Sequence, residues 1–69
     1  MRQQLDRIAN LHGVAAVNDR QDGVAYQFPP DGATRAEGFR RFARGLGADA
    51  RRVTDSDGSV ILVSGKRFN

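Results

Sequence analysis

The segment FRRFARGLGADARRV, residues 39–53, sets five arginines around two phenylalanines and two glycines. Arginine presents a planar fork of donors that fits carboxylates and phosphates, so a guanidinium density of this kind offers anion-binding chemistry. Within the segment, Gly45-Leu46-Gly47-Ala48-Asp49-Ala50 matches the GxGxxA pattern of dinucleotide-binding loops. That pattern works only after a strand and into a helix, where phosphate meets the helix N-terminus. Here a helix precedes it and a strand follows, so the glycines end a helix and no nucleotide is expected. Asp55-Ser56-Asp57-Gly58 has the opening of a calcium loop but lacks the remaining ligands and the closing glutamate, and reads as a hairpin turn.

Other reactive side chains are sparse. His12 is the only histidine and reads as a partly buried side chain near a helix end. There is no cysteine, and no serine has a histidine and a carboxylate at a spacing that suggests a triad. Asp6, Asp19, Asp22 and Asp31 read as solvated turn and helix residues. The expectation is a protein that is not an enzyme, with no catalytic residue, no metal and no cofactor.

The charge is uneven along the chain. The net charge is +3, and residues 35–52 carry six arginines against Glu37 and Asp49, which places the positive excess in one segment. Concentration on one face is the form that an anion-binding surface takes. Residues 1–34 carry three basic and four acidic side chains, and 53–69 balance. Sixty-nine residues make one domain close to the lower size limit for folding alone, and without cysteine no disulfide can staple it. No apolar stretch approaches a membrane span and the N-terminus has no signal-like apolar region, so a soluble, cytoplasmic protein is expected.

The elements that must position the arginines follow from periodicity. Met1, Leu5, Ile8, Ala9 and His12 fall on one helical face, with Gly13 where a C-terminal cap belongs. Ala36, Phe39, Phe42, Ala43 and Leu46 form the matching face of a second helix closed by Gly47. Thr34 and Glu37 have the spacing of a capping box, after the breaker run Pro29-Pro30-Asp31-Gly32. After each helix comes a hairpin pattern. Residues 14–17 and 24–28 flank a turn ending in Asp22-Gly23, and 48–53 and 59–63 flank one ending in Asp57-Gly58, where glycine would supply a positive φ.

The halves align at an offset of 34, Leu5, Arg7, Ile8, Ala9, Gly13 and Ala16 matching Phe39, Arg41, Phe42, Ala43, Gly47 and Ala50. An internal repeat over 1–28 and 34–64 would account for this, as would chance likeness between short amphipathic helices. The order αββαββ implies an α+β fold. A right-handed crossover through the second helix leaves room for the last strand to insert. The result is a four-stranded antiparallel sheet, order 3-4-2-1, with both helices on one face, a permuted ferredoxin-like two-layer sandwich. Strand 3, with Arg51 and Arg52, becomes an edge, where charge discourages pairing with other chains. Gly38 and Gly45 lie on one flank of the second helix, and the repeat relation predicts Leu11 packed in the groove they leave.

Two surfaces then invite partners. Arg40, Arg41 and Arg44 stand opposite Phe39 and Phe42 on the second helix, with Glu37 one turn away, and Arg51 and Arg52 follow on the edge strand. The expected function is that of a small binding or regulatory protein, an inhibitor or adaptor docking on an acidic partner through these five arginines. Such roles are common among small phage or mobile-element proteins. The alternative is sequence-tolerant nucleic-acid binding by the same arginines, against which stands the use of the phenylalanines and Tyr26 in the core. The second surface is the open side of the sheet, where Ala25, Gln27, Val60 and Leu62 are expected. A homodimer or a second partner contact would cover it, unless these are incidental exposed apolar side chains.

Overall fold

The structure, a computed structural model, describes residues 2–20, 23–55 and 58–65, with the backbone alone at 18–20, 54 and 55. The chain runs α1 (Arg2–Leu11), β1 (Ala16–Arg20), β2 (Gly23–Phe28), a 3-10 turn (Pro30–Gly32), α2 (Ala33–Gly45), β3 (Asp49–Asp55) and β4 (Gly58–Ser64). The four strands form one antiparallel sheet in the order β1-β2-β4-β3, the expected topology read from the opposite edge. No helix among the described residues is long and apolar enough to cross a membrane.

Alternation sorts the sheet into two faces. Val24, Tyr26 and Phe28 of β2 pair with Val63, Ile61 and Ser59 of β4, and the five apolar members of this set are 4% exposed or less. Onto them pack Leu5 and Ala9 from α1 and Ala36, Phe39 and Ala43 from α2, which places both helices on that face. Ala36 and Ala43 are fully buried, and their small side chains let α2 lie close to the sheet. Phe39 is the pivot, edge-on to Tyr26 at 4.8 Å between ring centroids and tilted against Phe28 at 5.5 Å. Each large side chain buried in this way contributes roughly 1.5–3 kcal/mol, so a few positions dominate the stability.

Both helices end in the same hydrogen-bonded device. The Gly13 N–H donates to the Asn10 carbonyl and the Val14 N–H to that of Ala9, with Gly13 at φ 73°. The Gly47 N–H donates to Arg44 and the Ala48 N–H to Ala43, with Gly47 at φ 93°. These are Schellman closures, which need a residue at positive φ and therefore favour glycine. They match at the offset of 34, so the two halves share backbone geometry as well as residue pattern. They also explain why β1 starts at Ala16 and β3 at Asp49, later than the apolar runs at 14 and 48. The N–H groups of Val14 and Ala48 are spent on the helix ends, and their buried side chains belong to the closure.

Several expectations are corrected. The capping box does not form: α2 begins at Ala33 with Gly32 as its cap and no side-chain cap bond. The 3-10 turn leads straight into the helix, so Thr34 already lies within its first turn, and the Glu37 carboxylate is held by arginines. Phe42 is 37% exposed rather than core, because its position is the outermost of the apolar stripe. Leu11 is 76% exposed, and Gly38 and Gly45 have nothing within 4 Å of where a Cβ would stand, so no groove between them receives it. Gly58 has the predicted positive φ of 136°, whereas Gly23 does not have a positive φ. Gly23 is required for space instead, since a Cβ there would stand 2.8 Å from the Val63 carbonyl oxygen. Met1, Asp22 and Asp57, which carried expectations above, lie outside the described residues.

Candidate functional site

Helical geometry fans Arg40, Arg41 and Arg44 across the side of α2 away from the core, and Glu37 sits among them. Arg40 donates to Glu37 through Nε, at 3.1 Å to each carboxylate oxygen, and through Nη2 at 2.5 Å. Arg41 Nε lies 3.7 Å from Glu37 Oε1. The third guanidinium comes from another element: Arg52 Nη1 of β3 is 3.8 Å from Glu37 Oε2. One carboxylate thus gathers three arginines from a helix and the neighbouring edge strand. The hydrogen bonds from Arg40 hold its carboxyl below the usual glutamate range, with the charges of Arg40, Arg41 and Arg52 acting in the same direction, and the same pairing raises the Arg40 guanidinium.

Arg44 and Arg51 make no ion pair with any described residue. They line an open groove of about 460 Å³ between α2 and β3, together with Glu37, Arg40, Asp49 and Arg52. A second shallow depression continues it past Arg41 and Arg52 toward Thr34 and Gly38. The surface therefore carries five guanidinium groups against two carboxylates, Glu37 and Asp49. All five arginines expected from the sequence lie on this side or at its edge, but not as a single patch. Arg52 follows buried Ala50 by two residues and shares the helix-covered face, while Arg51, paired with Leu62, turns to the uncovered one.

No family model, curated protein or solved structure matches this chain.

Among the described residues, no aromatic ring accompanies Arg40 and Arg44. At 100° per residue, Phe42 lies about 160° around α2 from both Arg40 and Arg44, and Tyr26, Phe28 and Phe39 are buried. Among the described residues no group of three or more histidines and carboxylates is placed to hold a metal ion. His12 is half-buried at the end of α1, its ring 6.3 Å from that of Phe28.

The open face of the sheet carries Val60, half-buried, and Leu62, 42% exposed, with Gln27 half-buried beside them. Val53, at 43% and paired with Val60, extends this apolar stripe to the β3 edge and was not expected there; Val17 of the opposite edge strand is 59% exposed. Val17 sits at a bulge between Ala16 and Asn18, a local irregularity with no signature in the sequence. Ala25, by contrast, is only 6% exposed: its methyl group is too short to rise above its neighbours, so it lies beneath this face and offers no contact.

One polar constellation went unanticipated. Tyr26 donates from its hydroxyl to Asp6 Oδ1 at 2.6 Å, and Arg2 Nε donates to the same carboxylate at 3.2 and 3.1 Å. Asp6 is thus engaged in structure rather than merely solvated. The readable signal was a tyrosine at an inward strand position, whose buried hydroxyl requires a partner.

Proposed function

We propose that this chain is a non-enzymatic binding protein, an inhibitor or adaptor that docks on an acidic surface of a larger protein through α2 and β3. The observation that carries the reading is the convergence of Arg40, Arg41 and Arg52 on Glu37, with Arg44 and Arg51 left without a counter-ion among the described residues. Exposed ion pairs add little to stability, so folding alone does not call for so many guanidinium groups on one side. Holding them by a shared carboxylate reduces the side-chain freedom lost on binding, which favours a preorganised contact with carboxylates.

Phosphate is the other anion that arginine grips, and a single-stranded nucleic acid would normally add base stacking on exposed aromatic rings. The ring nearest in sequence, Phe42, faces away from Arg40 and Arg44, which favours a protein partner. The deciding experiment is capture of the partner by wild type and by a variant with Arg41, Arg44 and Arg52 replaced by glutamate. It runs beside mobility-shift assays on generic DNA and RNA at low salt. Capture of a protein that the variant loses, with no shift of nucleic acid, is the expected result. A shift that weakens steeply with salt and disappears in the variant would replace the protein partner with nucleic acid.

A further inference from the structure

Arg51 and Arg52 are adjacent in sequence and stand on opposite faces of the sheet. Arg52 joins α2 at Glu37, and Arg51 lies beside Leu62 on the side no helix covers. An acidic surface laid against α2 would reach Arg40, Arg41, Arg44 and Arg52, and would meet Arg51 only where it borders the groove at the β3 edge. An extended chain running along the outer edge of β3 meets both, because its own side chains alternate between the two faces.

Among the described residues, the edge is open to such a chain. β3 pairs with β4 through seven consecutive residues, Asp49 with Ser64 through Asp55 with Gly58, and no bulge interrupts the ladder. Among the described residues, no backbone group outside β4 bonds to β3. Alternate N–H and C=O groups along β3 therefore point outward without a partner among the described residues. The opposite edge differs. β1 has only five residues and carries the bulge between Ala16 and Asn18, a feature that discourages strand addition. Regular length on one edge and interruption on the other make β3 the edge suited to pairing.

Resting on the acidic-partner reading above, we propose that β3 receives an extended acidic segment of the partner as a fifth strand, with carboxylates on one face reaching Arg52 and Arg44 and on the other Arg51. A second copy of this chain fits the edge less well. Antiparallel self-pairing of β3 about its midpoint sets Arg52 opposite Arg52 of the other copy, like charges directly across the ladder.

The test uses the whole protein and a fluorescent peptide of about eight residues, built of Glu, Asp, Thr and Val with carboxylates on both faces, long enough to run the seven residues of β3. Two further versions carry N-methyl groups on the odd or on the even amide nitrogens, which removes one row of donors and leaves the charge unchanged. Strand addition predicts that the parent binds and that one N-methyl series loses about tenfold or more in affinity while the other is much less affected, since several hydrogen bonds are lost together. Arg51→Glu and Arg52→Glu should each weaken the parent. Equal binding of both N-methyl series would overturn strand addition while leaving acidic docking in place. Failure of the parent to bind, with arginine-dependent capture of an acidic protein intact, would likewise overturn strand addition alone. Loss of both peptide binding and protein capture would remove the docking reading as well.

Discussion

The Tyr26 hydroxyl donates to the Asp6 carboxylate at 2.6 Å, tying β2 to α1 through the edge of the core. Tyr26 is fully buried, with its ring against Phe39, while Arg2 holds the carboxylate from the other side. Burial first, and then the adjacent carboxylate, push the phenol above the ordinary tyrosine range.

This bond fixes a pH dependence. Below about pH 10, the usual tyrosine value, folded and unfolded chains both keep the proton and the phenol adds no slope. Above it, only the unfolded chain releases the proton, so stability falls as pH rises. Tyr26 is the only tyrosine, so phenolate absorbance reports it alone. The absorbance is expected to appear together with the loss of circular dichroism and not before it. Tyr26→Phe should remove this alkaline slope and cost about 1 kcal/mol at neutral pH, since half-exposed Asp6 keeps Arg2 and gains water. A phenolate signal at ordinary pH with the fold intact would contradict the geometry.

The two phenylalanines of α2 are predicted to respond unequally. Phe39 is 1% exposed and touches two rings, so Phe39→Ala should cost about 3–5 kcal/mol and bring a domain this small close to unfolding. Phe42 is 37% exposed, and Phe42→Ala should cost only about 1 kcal/mol, in keeping with partial burial. Chemical denaturation of the two variants measures the contrast.

These pairs show what the sequence could and could not carry. Periodicity identified the inward faces of β2 and β4 and the face of α2, because burial imposes spacings of 2 and 3.6 that survive in residue type. It could not rank Phe39 above Phe42, since the limit of the apolar stripe depends on how α2 is rotated against the sheet. The Schellman glycines were legible because a positive φ favours glycine. Glu37 was legible as a neighbour of Arg40 and Arg41, but its reach to Arg52 required knowing that β3 lies next to α2. The splitting of Arg51 from Arg52 follows from strand alternation alone, once buried Ala50 fixes the phase. Leu11 illustrates the opposite failure: matched positions in similar halves did not imply that their flanks meet.

Glycines give a second contrast. Gly38 lies inside α2 with open space where a Cβ would go, so Gly38→Ala should stabilise the protein by about 1 kcal/mol through helix propensity. A Cβ on Gly58 would collide with the Phe28 carbonyl, and its φ of 136° disfavours any side chain. Gly58→Ala should therefore destabilise by about 1–3 kcal/mol from backbone strain alone. Thermal melts of the two variants moving in the same direction would refute this assignment of space.

Adjacent residues of β4 should tolerate charge oppositely. Ile61 is fully buried beneath the helices, and Ile61→Arg would leave an unpaired charge in the core. Leu62 is 42% exposed on the uncovered face, so Leu62→Arg should fold with a melting temperature near that of wild type. Sedimentation of wild type and Leu62→Arg over a concentration series also reads out self-association through this face. A dimer present in wild type and lost in the variant would identify a second copy as its cover.

Within the arginine surface, the geometry predicts an order of importance that sequence could not supply. Arg40 has its Nε and Nη2 committed to Glu37, and its side chain is 22% exposed. Arg44 lines the same groove with no ion pair among the described residues, leaving its donors available to an incoming carboxylate. Arg44→Ala should consequently weaken partner binding more than Arg40→Ala, although the two changes remove the same charge from the same helix. If long-range charge alone governed binding, the two variants would weaken it equally and share one salt dependence. Titration of both variants against the captured partner at two salt concentrations separates these cases, and melting temperatures close to wild type would confirm that neither result comes from a loss of fold.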